Sequence, residues 1–362
     1  MQRKSVAKKR PAMRMFRNDY SEGAAPEILA ALVATNDEQT VGYTEGDPHC
    51  ERARELIRAA CGRDDVDVEF CIGGTSANVI GVTGLLRDWE GAVCTRDAHI
   101  NVHETGAVAA CGRTVLPTDD ADGFLSPEAA ERVWRFQTST GRHMTRPGCV
   151  YISNTTELGG VWDLARFDAI CDWADEKGLP VFLDGARLGS GLTSPAASGL
   201  TLKHIAARCA GFYIGGTKNG MLMGEAMVIS HPRLREAFPF LQKERGGLLA
   251  KGRLLGVQFE AAFSPAPDGG EPLYWRLARN ANACAFRLRE GLVALGFEPY
   301  GEAPSNQQFF VMTPAQRDAF EAACGCETFY ELPDGRVVAR FVCSWATSEK
   351  DVDELLAFAA DL

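Results

Sequence analysis

Long apolar runs are missing from this chain. Nothing in its 362 residues approaches the roughly 20 consecutive apolar residues of a membrane-spanning helix, so no membrane partner is expected. An apolar signal core is missing as well. The first 17 residues, "MQRKSVAKKRPAMRMFR", hold seven Lys or Arg and no acid, which predicts a cytoplasmic rather than a secreted protein. Positive charge is scarce elsewhere: the net charge is −10 and the pI is near 5.2, which argues against a nucleic-acid-binding body. Zinc spacing is absent among the twelve cysteines. Cys324-Gly-Cys326 is the one close pair and has no second pair to complete a metal site, so no metal is expected. The others, such as Cys71, Cys94, Cys149, Cys171 and Cys209, sit in apolar segments, where a reduced thiol packs as a small hydrophobe. No internal repeat or low-complexity segment occurs, and no Gly-Lys-Ser/Thr order provides a Walker-type phosphate loop.

What is present is alternation. Between about residues 50 and 235, short apolar strands, Gly-rich turns and amphipathic helices follow one another: "VDVEFCI" (66–72), "TSANVIGVTGLLRDW" (75–89), "AVCT" (92–95), "TVLPT" (114–118), "CVYIS" (149–153), "RFDAICDWADEKG" (166–178) and "PVFLD" (180–184). This pattern predicts an α/β domain with a mostly parallel central sheet between helices. "SPAPDGGEP" (264–272) breaks it. A long helix (273–295), the strands "SNQQFFVM" and "RVVARFVC", and a closing helix follow. The expected organisation is a basic arm over 1–22, a large domain over 23–262 and a smaller α+β domain over 263–362. The arm reads as flexible or as clasping a neighbouring subunit; a transit peptide or a nucleic-acid-binding arm are the alternatives.

Chemistry-bearing residues gather at the ends of the predicted strands. In "CIGGTSAN" (71–78), Gly73, Gly74 and Thr75 lie between a strand and a helix, where free backbone N–H groups favour an anion, although a plain helix cap reads the same way. Asp184 closes the apolar strand of "LDGARL" (183–188), at the carboxyl edge where α/β sheets place ligands. A carboxylate there needs a cation, either Arg187 as a structural partner or a cofactor. Lys218, in "YIGGTKNGML" (213–222), follows the next strand, Phe212-Tyr213-Ile214, and precedes another, Ala226–Ile229. Asn219-Gly220 favours a two-residue hairpin that would leave Lys218 a solvated turn residue. A phosphate cradle, an aspartate and a lysine on one edge are also the parts that hold pyridoxal phosphate. "DAHINVHETG" (97–106) adds His99, able to stack on a pyridine ring or simply to cap a helix.

These segments resemble the low-specificity threonine aldolases, within the β-eliminating lyase group of fold-type-I pyridoxal-phosphate enzymes. The resemblance runs from "FRNDYSEGAAPEIL" (16–29) to "RFVCSWATSEKDVDE" (340–354), through "GGTSAN", "AHINVHETGA", "ISNTTELGGVW", "FLDGARL", "IGGTKNGMLMGEA" and "RGGLLAKGRLLGVQFE". It implies the fold-type-I fold, pyridoxal 5'-phosphate as cofactor, and cleavage of a β-hydroxy-α-amino acid such as L-threonine or L-allo-threonine to glycine and an aldehyde. β-Elimination is the alternative reaction, and a non-catalytic binding protein the remote one. By the resemblance, Lys218 is the Schiff-base lysine, Asp184 the pyridinium partner and His99 the stacking imidazole. Gly74, Thr75 and Thr217 belong to the cofactor site, and Arg187 to both cofactor and substrate. Arg340 grips the substrate carboxylate, with Asn18 beside it. A homodimer or homotetramer with its site at the interface is implied, "GYTEGDP" (42–48) and "RGGLLAKGR" (245–253) being the candidate crossing segments. Lys251 and Arg253 are read either as reaching a phosphate or as a solvated helix face. Two departures lie near the expected substrate. Thr156 and Glu157 stand where better-known aldolases carry a histidine, and Arg17-Asn18-Asp19-Tyr20 stands where many members have Arg-Ser-Asp-Thr. A helix continuing from His99 would place His103, at i+4, in the same cleft as a candidate general base. Packing against a neighbouring helix is the other reading of His103, and Glu157 or a water are other candidate bases.

Overall fold

The computed structural model describes residues 13–120 and 122–362. The first sheet comprises β1 (Asp67–Cys71), β2 (Glu90–Cys94), β3 (Thr114–Pro117), β4 (Arg146–Ser153), β5 (Val181–Asp184), β6 (Gly211–Gly215) and β7 (Glu225–Ile229). The strands lie in the order β1-β7-β6-β5-β4-β2-β3. All neighbours are parallel except β7, which runs against both β1 and β6. The mostly parallel sheet expected from the alternation is there. Because the two reversals cancel, the carboxyl ends of β1, β2, β4, β5 and β6 open on one edge, together with the amino end of β7.

Every residue of β2, β5, β6 and β7 is buried, which is why these strands read as unbroken apolar runs: helices cover both faces. On one face the helix Gly74–Leu85 is buried from Ala77 to Leu85, wedged between the sheet and the helix Pro232–Glu244. A Cβ at Gly81 would stand 2.1 Å from the Phe182 ring, so only glycine lets this helix lie so close to the strands. On the other face Phe167, Ile170, Ile205 and Ile57 fill the core. The helix Leu164–Lys177 among them starts at the capping side chain of Asp163 and stops at Gly178, φ 66°.

Two local expectations need correcting. The connection from β6 to β7 is not a two-residue hairpin at Asn219-Gly220; the strands do pair antiparallel, but residues 216–224 join them. That loop turns inward over the sheet edge, and with it Lys218, which is half-buried rather than a solvated turn residue. The helix expected to continue from His99 is also broken. It exists as His99–Val102 and Ala107–Ala110, separated by Thr105 and Gly106 at positive φ.

The second sheet, β8 (Glu298–Pro299), β9 (Gln307–Met312), β10 (Glu327–Glu331) and β11 (Val337–Val342), is antiparallel in the order β10-β11-β9-β8. The helix Leu273–Ala294 serves two cores. Leu273 and Tyr274 belong to that of the first sheet, and Cys284, Ala285, Leu288 and Leu292 to that of the second. Phe16 joins the second core, fully buried. Its N–H donates to the Cys324 carbonyl (2.7 Å), and its own carbonyl accepts from the Val342 N–H (2.8 Å). Most of the basic arm, residues 1–12, lies outside the described residues. All twelve cysteines are free and eleven of them buried. Among the described residues no helix is long and apolar enough to cross a membrane.

Candidate active site

A cavity of about 700 Å³ opens on the shared strand edge, with the first sheet on one side and β10 and β11 on the other. Asp184 lies at its floor, 4% exposed. Its carboxylate accepts four hydrogen bonds. Oδ1 takes the Tyr213 hydroxyl (2.5 Å) and the Ala186 N–H (2.9 Å); Oδ2 takes the Tyr151 hydroxyl (2.6 Å) and the Asn78 amide (2.8 Å). Burial alone raises a carboxyl, but the charge of His99 and these donors outweigh it, and Asp184 is held below the usual carboxylate range. Burial and the Asp184 charge push both phenols upward, so they remain donors.

His99 stands above that floor with its Nδ1 2.8 Å from Glu104 Oε1. The Asn78 amide also donates to Glu104 Oε1 (2.8 Å), so one buried amide ties the histidine's partner to Asp184. Burial works against the imidazolium, but the Glu104 hydrogen bond and the charges of Asp184, Glu157 and Glu104 win, and the His99 value is raised. Held this way, the ring has one orientation in the cavity.

Lys218 lies on the same wall. Burial and the nearby Arg187 charge pull its ammonium below the ordinary lysine value. Among the described residues no carboxylate stands within ion-pair distance of its amine, and the Tyr20 ring centre lies 5.9 Å from it. A lysine with a weakened proton and no salt bridge is suited to act as a nucleophile. Thr217 before it has its hydroxyl committed: it donates to Glu225 Oε1 (2.7 Å) and accepts from the Gly224 N–H (3.0 Å).

Gly73, Gly74 and Thr75 line the cavity at the start of the helix Gly74–Leu85, which has no side-chain cap. The Ser76 hydroxyl in that first turn is buried without a partner. An uncapped helix start with an orphaned hydroxyl is a site awaiting an anion.

Other expected residues fall differently. Arg187 does not pair with Asp184. It binds Asp19 in bidentate fashion (2.7 and 3.0 Å), both side chains nearly out of solvent, while still bordering the cavity. Arg340 borders the cavity from β11; it pairs with Glu327, and its Nε is buried without an acceptor. Asn18 is not on the wall. Its Oδ1 accepts from the Tyr20 N–H and the Ser21 hydroxyl, shaping the turn that puts Tyr20 there instead. His103 is on the wall despite the broken helix, its ring centre 5.5 Å from that of His99. Glu157 lines the cavity too, whereas Thr156 is 2% exposed, accepts from the Gly160 N–H and faces away. Within the chain the Arg253 guanidinium donates to the carbonyls of Thr35 and Glu38, and Lys251 is exposed. Sequence reasoning missed Tyr151, Tyr213, Asn78, Glu104 and Glu225. For Tyr151, Tyr213 and Glu225 the available signal was a hydroxyl or carboxyl inside an otherwise apolar buried run, which must find a partner.

The fold is that of the fold-type-I pyridoxal-phosphate enzymes. Within that class the chain belongs to the β-eliminating lyase family, whose model matches residues 16–313. It is 31% identical over 351 residues to a low-specificity L-threonine aldolase of Pseudomonas sp. strain NCIMB 10558, covering 94% of this chain and 96% of the relative. A second low-specificity L-threonine aldolase, from Pseudomonas aeruginosa, is 28% identical over 94% of this chain and 95% of its own. The solved structure of Leishmania major threonine aldolase superposes with a TM-score of 0.91 at 37% identity, over 96% of this chain and 99% of that one. Members of the family depend on pyridoxal phosphate, and the residues present fit that group: an ionised aspartate, a fixed imidazole, an unpaired lysine and an uncapped helix start.

Proposed function

We propose that this chain cleaves the Cα–Cβ bond of β-hydroxy-α-amino acids, L-threonine and L-allo-threonine among them, to glycine and an aldehyde. The observation that carries the reading is the convergence of Lys218, Asp184 and His99 on one cavity, in a chain similar to threonine aldolases along nearly all of its length. Lys218 would carry pyridoxal phosphate as a Schiff base, Asp184 would face its pyridine nitrogen, His99 would stack on its ring, and the helix start at Gly74 and Thr75 would take its phosphate. The bound cofactor supplies an electron sink for the pair released at Cα. The chain's own residues do the rest. Asp184, kept ionised by its donors, would hold a proton on the ring nitrogen. Arg340 and Arg187, both on the cavity wall, would orient the substrate carboxylate. His103 or Glu157 removes the proton from the β-hydroxyl, since Thr156 faces away from the cavity.

That absent histidine favours one rival, β-elimination, which would release ammonia and a keto acid from the same cavity. Incubating the purified protein with a panel of β-hydroxy amino acids separates the two by product. Glycine with an aldehyde supports the reading; ammonia with a keto acid replaces it. Lys218→Ala tests the site itself: it should fold, yet lack the visible absorbance of a lysine-bound cofactor and turn over at background level. A variant retaining both would end the reading.

The same reading makes the protein a cytoplasmic homodimer or homotetramer. Supporting this, the 42–48 and 245–253 segments adjoin each other through the Tyr43 N–H and the Ala250 carbonyl (2.9 Å). Near them Val33, Val41, Tyr43 and Leu222 are large apolar side chains left 44% to 75% exposed. Light scattering that finds an active monomer would refute the assembly.

A further inference from the structure

Glu225 has no role in the chemistry described above, yet it is 3% exposed and borders the same cavity as Lys218. It opens β7, where it stands opposite Gly215 on β6 and Cys71 on β1. Its two carboxyl oxygens are divided between the two residues that precede the lysine: Oε2 accepts the Gly216 N–H (2.8 Å) and Oε1 the Thr217 hydroxyl (2.7 Å). The far end of the loop is fastened to the same point, because the Gly224 N–H donates to the Thr217 hydroxyl and the Gly224 carbonyl accepts from the N–H groups of Gly216 and Thr217 (3.1 Å each). The loop has no slack there: a Cβ on Gly216 would stand 2.4 Å from Met221 Sδ. One side chain therefore gathers both ends of the turn that carries the lysine.

We propose that Glu225 is a positioning residue for Lys218, its carboxyl clamping Gly216 and Thr217 so that the amine is held in the cavity. This rests on the reading of Lys218 as the cofactor lysine. No salt bridge neutralises the clamp, and burial pushes its carboxyl up to about 7 against the Thr217 and Gly216 hydrogen bonds and the Lys218 charge. The other ionisable groups that face it are Asp184 on β5, Tyr213 on β6, Cys71 on β1 and Tyr274 on the helix Leu273–Ala294. Asp184 stays ionised, and the phenols and the thiol stay neutral. Glu225 is thus the carboxyl of this group whose charge changes near neutrality. Protonation does not release the clamp, because the Thr217 hydroxyl can turn to accept while a carboxyl oxygen keeps the Gly216 N–H.

The test uses full-length apoenzyme and pyridoxal phosphate as the probe. Borohydride reduction followed by peptide mapping of the wild type first locates the linked lysine; a label elsewhere would overturn the reading of Lys218 and leave the clamp without its object. With the label on Lys218, the rate of cofactor capture is followed by visible absorbance across the neutral range. Glu225→Ala should slow capture and weaken cofactor affinity by about tenfold, the scale of one charge-assisted hydrogen bond. Glu225→Gln should restore both, since its amide oxygen still accepts from Gly216 and its amide NH₂ donates to Thr217. Thr217→Val breaks the clamp from the other end and should behave like Glu225→Ala, with Thr217→Ser behaving like wild type. Capture at the wild-type rate by Glu225→Ala overturns the proposal. If that variant does not fold, wild-type capture by Thr217→Val overturns it instead.

Discussion

The two walls of the cavity are finished to different degrees. On the sheet edge Asp184 is fully satisfied, with four donors on its two oxygens. On the facing wall Arg340 is not. Its Nε is buried without an acceptor, one NH₂ group reaches Gln307 only at 3.3 Å, and the other pairs with Glu327, itself 47% exposed. An unsatisfied buried donor costs about 1–3 kcal/mol, and a structure keeps one where a visiting acceptor will relieve it. The difference separates two kinds of guest. By the proposed reading, the satisfied carboxylate of Asp184 is set in advance for a resident cofactor, and the unsatisfied guanidinium of Arg340 is left open for a carboxylate that arrives and departs.

The contrast can be broken most severely at the satisfied wall. Asp184→Asn keeps the shape but places an amide among four donors and removes the charge. We expect turnover to fall about 100- to 1,000-fold, the scale of losing a preorganised electrostatic partner, while cofactor absorbance persists. Turnover near normal would make Asp184 a scaffold residue. Next in size is His103→Phe, expected to lower kcat by about 100-fold with cofactor binding intact, as the loss of a general base does. Full activity in that variant transfers the task to Glu157 or to water. At the open wall, Arg340→Gln should raise KM by about 10- to 100-fold and change kcat less. A fall in kcat at constant KM would show that this wall acts on the transition state instead.

The smallest effect is on stability. The His99 value is raised in the folded protein, so its pairing with Glu104 contributes stability that is complete below the unfolded value near 6.5 and is lost as pH rises through the raised folded value. Asp184 is the opposite case: its lowered value contributes stability above about 3.8 that is lost as pH falls through the folded one. Thermal melts of the apoenzyme should therefore decline above neutrality by an amount that His99→Asn removes. An identical decline in that variant would mean that the Glu104 pair does not stabilise the fold.

Much of this was legible locally. "PVFLD" announced a strand buried on both faces and ending in an aspartate, although the cation expected beside that aspartate is replaced by four neutral donors. "CIGGTSAN" announced a strand-to-helix turn with open N–H groups. Turn chemistry misled in one place: Asn219-Gly220 carries a strong short hairpin signal, but the Tyr274 carbonyl holds the Asn219 amide and the Ala25 N–H holds the Gly220 carbonyl, so a longer loop lies inward and half-buries the lysine. The strand β10 was missed because it is short, pairs only with β11 and contains no fully buried residue, so its pattern shows no clean alternation.

By itself the sequence determined the periodic elements, the sheet they must form and the edge on which a lysine, an aspartate and a phosphate-ready turn would meet. Those are consequences of local spacing and of where apolar runs stop. Partner choice was decided only by the tertiary structure. Arg187 sits three residues from Asp184, yet it binds Asp19, 168 positions away; Asp184 instead takes hydroxyls from β4 and β6 and an amide from a helix more than a hundred residues earlier. A buried charge takes whichever complementary group the folded chain brings within about 3 Å, and spacing along the chain carries no record of that distance.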